Sequence, residues 1–248
     1  MEMDADLKTA PPPEPQTKLL ERVQALFEVL LLAGFASSLL ASLPFIFSPS
    51  GRAGLLSDVR LMSAYVLLES AITFFLLFLV MRARGETATG IGLTWERWRS
   101  NAFLGLAIVL LLFVLNAVVS IVFQMFFPGY YLEHNPLTDL IRTPRDLILF
   151  IFTALIAGGV KEEIQRAFIL RRFQTYLGGA KVGLILWSAV FGIGHYVQGI
   201  QGMVAAGVFG LIFGAIYLAR GNLIAPMVAH GAYDTIALLG YWFLASHS

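Results

Sequence analysis

At 248 residues, 58% hydrophobic and only 13% charged, with a mean hydropathy of +0.76, the chain is far more apolar than a soluble domain, where about 25% of residues are charged. A formal net charge of +1 gives no footing for nucleic acid, and the absence of cysteine excludes disulfides, thiol catalysis and Cys-based metal sites. What remains is an all-α, polytopic transmembrane helix bundle of about seven to eight spans.

In chain order, residues 1–25 read as a disordered tail. Asp4, Asp6, Glu14 and the run Pro11-Pro12-Pro13 do not suit a signal peptide, so the first hydrophobic segment is expected to stay as an uncleaved anchor. Residues 26–145 hold about three N-terminal spans and their loops, estimated from spanning length, and the first of these covers 26–47. The second, 61–81, is interrupted only by Glu69 and small hydroxyls; Glu69 is left either to a neighbouring helix's hydroxyl or to a cavity. Trp95 and Trp98 in the next loop are placed like interfacial anchors. The third span, 102–127, ends at Pro128-Gly129, and a short surface helix is expected over 136–142.

Residues 146–248 form a core of about four spans by the same length criterion. The first, 145–176, is about 48 Å long as a helix, longer than a bilayer core, so it tilts, protrudes or bends near Gly158-Gly159. Three more follow at 182–197, 203–218 and 223–244, the last with Pro226 near its start, where a missing N–H does least harm. Ala206, Gly210 and Gly214, spaced by four in the sixth span, predict close helix packing. With the tail inside, eleven Lys and Arg fall on inner segments (Lys8, Lys18, Arg22, Arg82, Arg84, Arg97, Arg99, Arg171, Arg172, Lys181, Arg220). Only Arg52, Arg60, Arg142 and Arg145 fall outside, which favours a cytoplasmic N-terminus in the cell membrane.

The costly feature is Lys161-Glu162-Glu163-Ile164-Gln165-Arg166, four ionisable residues within one apolar segment. Each costs roughly 2.5–3.5 kcal/mol at the bilayer centre, so such a cluster points to function. Two of the four histidines, His195 and His230, also lie within spans, while His134 and His247 do not. His195 follows Gly192 and Gly194, which allow another helix or a substrate backbone to approach closely; His230 and Asp234 share one helix face. Taken singly, each has a plain reading. Glu162 and Arg166 suit an intrahelical i, i+4 pair, as do His230 and Asp234, and a lone intramembrane histidine is more often a helix–helix hydrogen bond than a catalyst.

Taken together, Glu-Glu followed by Arg, then Phe191-x-x-x-His195, then His230-x-x-x-Asp234, on successive helices, resembles the CPBP family over 147–238. That family contains the CAAX prenyl endopeptidases and bacteriocin-processing or self-immunity proteins. The resemblance implies a glutamic intramembrane endopeptidase that cleaves a peptide or protein substrate at the lipid bilayer. It implies Glu162 as the base that activates water, Glu163 with Arg166 as a supporting ion pair, and His195 as the residue orienting the water. His230 and Asp234 would face the tetrahedral intermediate. Two residues separate the Glu pair from Arg166, where the family has three, so whether Glu162 or Glu163 is the base stays open. Asp234, unlike Asn, donates a hydrogen bond only when protonated. No cofactor is expected: Glu162, His195 and His230 are ligand types for zinc, but no His-Glu-x-x-His is present and the two histidines sit on different helices. The competing function is a non-proteolytic membrane regulator or self-immunity protein of the same fold; a transporter or proton relay lacks convincing internal repeats.

Overall fold

A computed structural model describes residues 15–47 and 54–246. Nine α-helices are described: α1 (Pro15–Leu32), α2 (Phe35–Ile46), α3 (Val59–Ala83), α4 (Trp98–Phe126), α5 (Pro144–Ala154), α6 (Glu163–Tyr176), α7 (Ala180–Gly194), α8 (Gly199–Arg220) and α9 (Ile224–Ala245). No strand occurs among the described residues. The protein is an all-α membrane helix bundle. Lys18–Ile46, α3, α4 and the stretch Tyr196–Arg220 are long and apolar enough to cross a membrane, and α7 is a shorter apolar helix. Side chains such as Phe103, Leu110, Met125, Ile148 and Ile185 stand exposed on the outer surface, as helices facing lipid require.

Three expectations change. Helix α1 starts at Pro15, so residues 15–25 are helical instead of a tail; residues 1–14 lie outside the described ones, as does His247. The first span is two helices, because Gly34 takes φ 94° between α1 and α2, a left-handed conformation that favours glycine. The span expected over 182–197 ends at Gly194, where the chain leaves the helix through His195 into a short 3₁₀ turn, Tyr196–Gln198. Other boundaries follow the sequence closely. A 3₁₀ turn, Pro136–Leu140, stands where the short surface helix was expected, α4 stops before Pro128, and Pro226 sits in the first turn of α9.

The long fourth segment is continuous from Pro144 to Tyr176, but it is not one α-helix. Thr143 caps α5 through a reciprocal box with Asp146. From Leu155 to Glu162 the backbone then widens into a π-helix before α6 resumes. Such a segment accommodates an extra residue and re-aims the side chains around it, and π-bulges recur at functional sites. It contains Gly158-Gly159, the glycines at which a bend was expected.

Polar links gather the loop segments at two ends. At one end, Arg172 donates to Glu28 (2.6 Å) and to both oxygens of Glu86 (2.8 and 2.7 Å), and Arg84 donates to Glu28 (2.8 Å). At the same end Arg171 donates to the Gly90 carbonyl, Arg220 to Asn101, and Asn222 to the carbonyls of Thr94 and Glu96. At the other end Arg142 reaches the Ser57 carbonyl and Gln201 accepts from Leu132 N–H. Arg84, Arg171, Arg172 and Arg220 thus share one end of the bundle. Between the ends, small residues set the helix spacing: a Cβ on Gly192 would lie 2.6 Å from the Met203 carbonyl, and one on Gly105 2.6 Å from that of Ala225. Gly210 and Gly214 likewise abut Ser188 and Leu184 of α7, and Ala206 is buried, as their spacing predicts.

Candidate active site

Three consecutive ionisable side chains at the π-to-α junction point in three directions, since successive residues turn about 100° around a helix. Lys161 turns to α3, where its Nζ lies 2.9 Å from Glu69 Oε2. Glu163 turns into the bundle and is buried with Arg166, whose Nη1 donates to Glu163 Oε1. Glu162 turns to α9 and keeps a fifth of its side chain exposed.

Arg166 is fully buried and is held on three sides. Besides Glu163, its guanidinium lies over the rings of Phe191 (4.6 Å) and Phe213 (5.3 Å). Its Nε and Nη2 have no hydrogen-bond partner among the described residues, and the two aromatic faces partly offset that deficit. The Phe213 ring also stacks on His230, with centroids 4.7 Å apart and an interplanar angle of 21°. Phe213 belongs to the sixth span, to which the sequence assigned packing alone. Nothing in its spacing signals that one ring supports both the arginine and the histidine.

His230 is the hub. Its Nδ1 lies 2.8 Å from Glu163 Oε1, and since a carboxylate only accepts, Nδ1 carries the proton. Nε2 then faces Glu162 Oε2 at 3.9 Å and Asp234 Oδ2 at 3.6 Å. The helices meet closely enough for this because Gly158 has no side chain. A Cβ there would stand 2.8 Å from Asp234 Oδ2 and 3.1 Å from His230 Nε2. Beside it, Gly159 packs against Gly231, a Cβ on the former falling 3.3 Å from Gly231 Cα. The two glycines, legible in the sequence as a weak point, form the floor of the cluster.

His195 is the outlying member. It caps the C-terminus of α7, and its Nδ1 lies 2.8 Å from the Phe191 carbonyl, so Nδ1 is again the donor and Nε2 of the neutral ring is a bare acceptor. It makes no ion pair with a carboxylate among the described residues. A side chain on neighbouring Gly194 would meet nothing within 4 Å among the described residues, and His195 itself is half-buried. Of the two glycines before His195, Gly192 therefore admits helix α8 and Gly194 borders open space.

The intrahelical pair Glu162–Arg166 is not formed; Arg166 takes Glu163 at i, i+3. Glu162 makes no hydrogen bond among the described residues, and its nearest charged partners are Lys161 Nζ (3.8 Å from Oε1) and His230 Nε2. No group of three or more His, Asp or Glu is arranged to hold a metal ion among the described residues.

Residues 143–236, which contain every one of these groups, match the model of the type II CAAX prenyl endopeptidase Rce1-like family. The match supports CPBP family membership over these residues. The chain is an integral membrane protein, and the match supports a CAAX-protease-like membrane endopeptidase at family level. No curated protein and no solved structure is significantly similar to the chain. The family match begins at Thr143, so α1 to α4 lie outside it.

Proposed function

We propose that this CPBP-family chain is an intramembrane endopeptidase that hydrolyses a peptide bond of a membrane-associated protein or peptide with water activated by Glu162. The observation that carries the reading is the division of labour between the two glutamates. Glu163 Oε1 is taken by Arg166 and His230, whereas Glu162 hydrogen-bonds to neither and keeps a fifth of its side chain exposed.

In this reading a water sits between Glu162 and His195 Nε2, which accepts one of its hydrogens. Glu162 removes a proton as the water oxygen bonds to the scissile carbonyl carbon. The oxyanion forms beside His230, which in its doubly protonated form gives Nδ1–H to Glu163 and Nε2–H to the developing charge. Collapse breaks the C–N bond, and the proton held by Glu162 passes to the leaving nitrogen. Asp234 Oδ2, 3.6 Å from His230 Nε2, orients it. Glu163 and Arg166 hold the imidazole from behind. No cofactor enters this scheme, and the partners are a peptide or protein substrate and the surrounding lipid. The gathering of basic segments at one end of the bundle supports a cytoplasmic N-terminus.

The reading is tested by comparing the membrane and secreted proteomes of cells carrying wild-type protein or a Glu162→Ala allele. Peptides whose processing disappears in the mutant identify substrates, and their cleavage by purified protein should survive a metal chelator. A phenotype that persists in Glu162→Ala cells but is lost when surface loops are changed would point to a non-proteolytic regulator instead. Gly158→Ala supplies a geometric check. The new methyl forces Asp234 and His230 away, and a misplacement near 1 Å can slow a reaction about 10²-fold. Alanine also favours the helix over glycine, so thermal unfolding should be unchanged or higher while kcat falls.

A further inference from the structure

The ionisable side chain next to Glu162 is unexplained by the scheme above. Lys161 is 8% exposed and lies in the π-helix. A buried ion pair contributes little more than a well-packed apolar pair of the same size, so stability alone does not account for a lysine there. Its partner is more informative. Glu69 of α3 is fixed at both carboxylate oxygens: Oε1 accepts from Ser37 Oγ of α2 (2.6 Å) and from Thr73 Oγ1 (3.0 Å), and Oε2 faces Lys161 Nζ (2.9 Å). With Glu69 immobilised, the ammonium is immobilised too, and it stands 3.8 Å from Glu162 Oε1.

Glu162 is therefore bracketed. A nitrogen faces each oxygen at nearly equal range, Lys161 Nζ at 3.8 Å from Oε1 and His230 Nε2 at 3.9 Å from Oε2. Both are too far for a hydrogen bond, so the carboxylate is steered while its lone pairs stay available to a water. A lysine attached only to its own helix would sweep through many rotamers; one clamped to a second helix does not.

Resting on the reading of Glu162 as the base, we propose that Lys161 is a positioning residue for Glu162, set in place by Glu69, Ser37 and Thr73. The site is then not confined to residues 143–236. Helices α2 and α3, outside the family match, supply one wall of it through a relay of Ser37, Glu69, Lys161 and Glu162.

The test uses the full chain in lipid vesicles and a substrate from the proteome comparison, with kcat, KM and thermal unfolding measured together. Lys161→Met and Glu69→Gln should each lower kcat at least tenfold with KM within about twofold, since the losses fall on the geometry of the base and not on substrate binding. Either single change leaves a buried charge unpaired and lowers the unfolding temperature. The double variant Glu69→Gln/Lys161→Met removes both charges, so its unfolding should return toward wild type while kcat stays tenfold down; Lys161→Arg should keep most of the rate. Recovery of kcat together with stability in the double variant overturns the proposal, because the pair is then structural only. So does a wild-type kcat in either single variant. Glu162→Gln separates the two levels: if it cleaves normally, the reading of the base fails, whereas an inactive Glu162→Gln beside a fully active double variant sinks only the role of Lys161.

Discussion

Glu162→Gln is expected to slow cleavage by about 10²–10⁴-fold, the span ordinarily lost with a general base, while the protein folds and unfolds as the wild type does. The amide has the carboxylate's shape and no basic oxygen, and Glu162 makes no hydrogen bond that the change would break. Stability should therefore be untouched. Glu163→Gln should show the opposite balance. Its carboxylate is the buried counter-charge of Arg166 and the acceptor of His230 Nδ1–H, so the neutral amide strands the arginine's charge and holds the imidazole only through an uncharged oxygen. Unfolding then moves to lower temperature, and activity falls along with the amount of folded protein. Kinetics in vesicles beside thermal unfolding of both variants decide the matter. A folded but dead Glu163→Gln, with Glu162→Gln nearly active, would transfer the base to Glu163 and reverse the assignment.

That assignment marks where the sequence ceased to be informative. The charged turn, the two histidines and Asp234 were legible because an ionisable group in an apolar segment is expensive wherever it stands, and three such groups in order are hard to place otherwise. Which glutamate takes Arg166 was not legible. The spacing suits both i, i+3 and i, i+4 pairing, and the choice is made by a π-helix whose onset at Leu155 has no sequence signature beyond two glycines. Glu69 stood out as a lone carboxylate. Its hydroxyl partner Ser37 was among the expected kinds, but Lys161 as a second partner depends on how α3 packs against the π-helix. Gln165 was passed over altogether. It donates to the Leu32 carbonyl, left open where α1 breaks at Gly34, and a break invisible in the hydropathy gives no reason to look for its cap. The same holds for Glu28. An acidic residue near the start of a hydrophobic run carries no sign of its partners, and Glu28 is buried between Arg84 and Arg172. Each miss involves a contact between segments far apart in the chain, where periodicity within one helix is silent.

The second large effect lies at Arg166. Arg166→Met should cost about 3–5 kcal/mol of stability, the usual penalty for breaking a buried pair from one side, because Glu163 is left charged among Phe191, Phe213 and His230. Much less folded protein should be recovered in detergent, and what remains should be inactive. Removing both charges with Glu163→Leu/Arg166→Met should recover part of that stability, since methionine keeps the contact with both aromatic rings and no lone carboxylate or guanidinium remains buried. Activity should not return with it. Without the Glu163 carboxylate, His230 Nδ1–H loses its acceptor, the ring is free to turn on Phe213, and Nε2 no longer holds its station between Glu162 and Asp234. Stability regained without rate would mean that the pair serves to aim His230. Rate regained along with stability would mean that the ion pair only fills space, and that His230 is aimed by the stacked Phe213 ring and Asp234 alone.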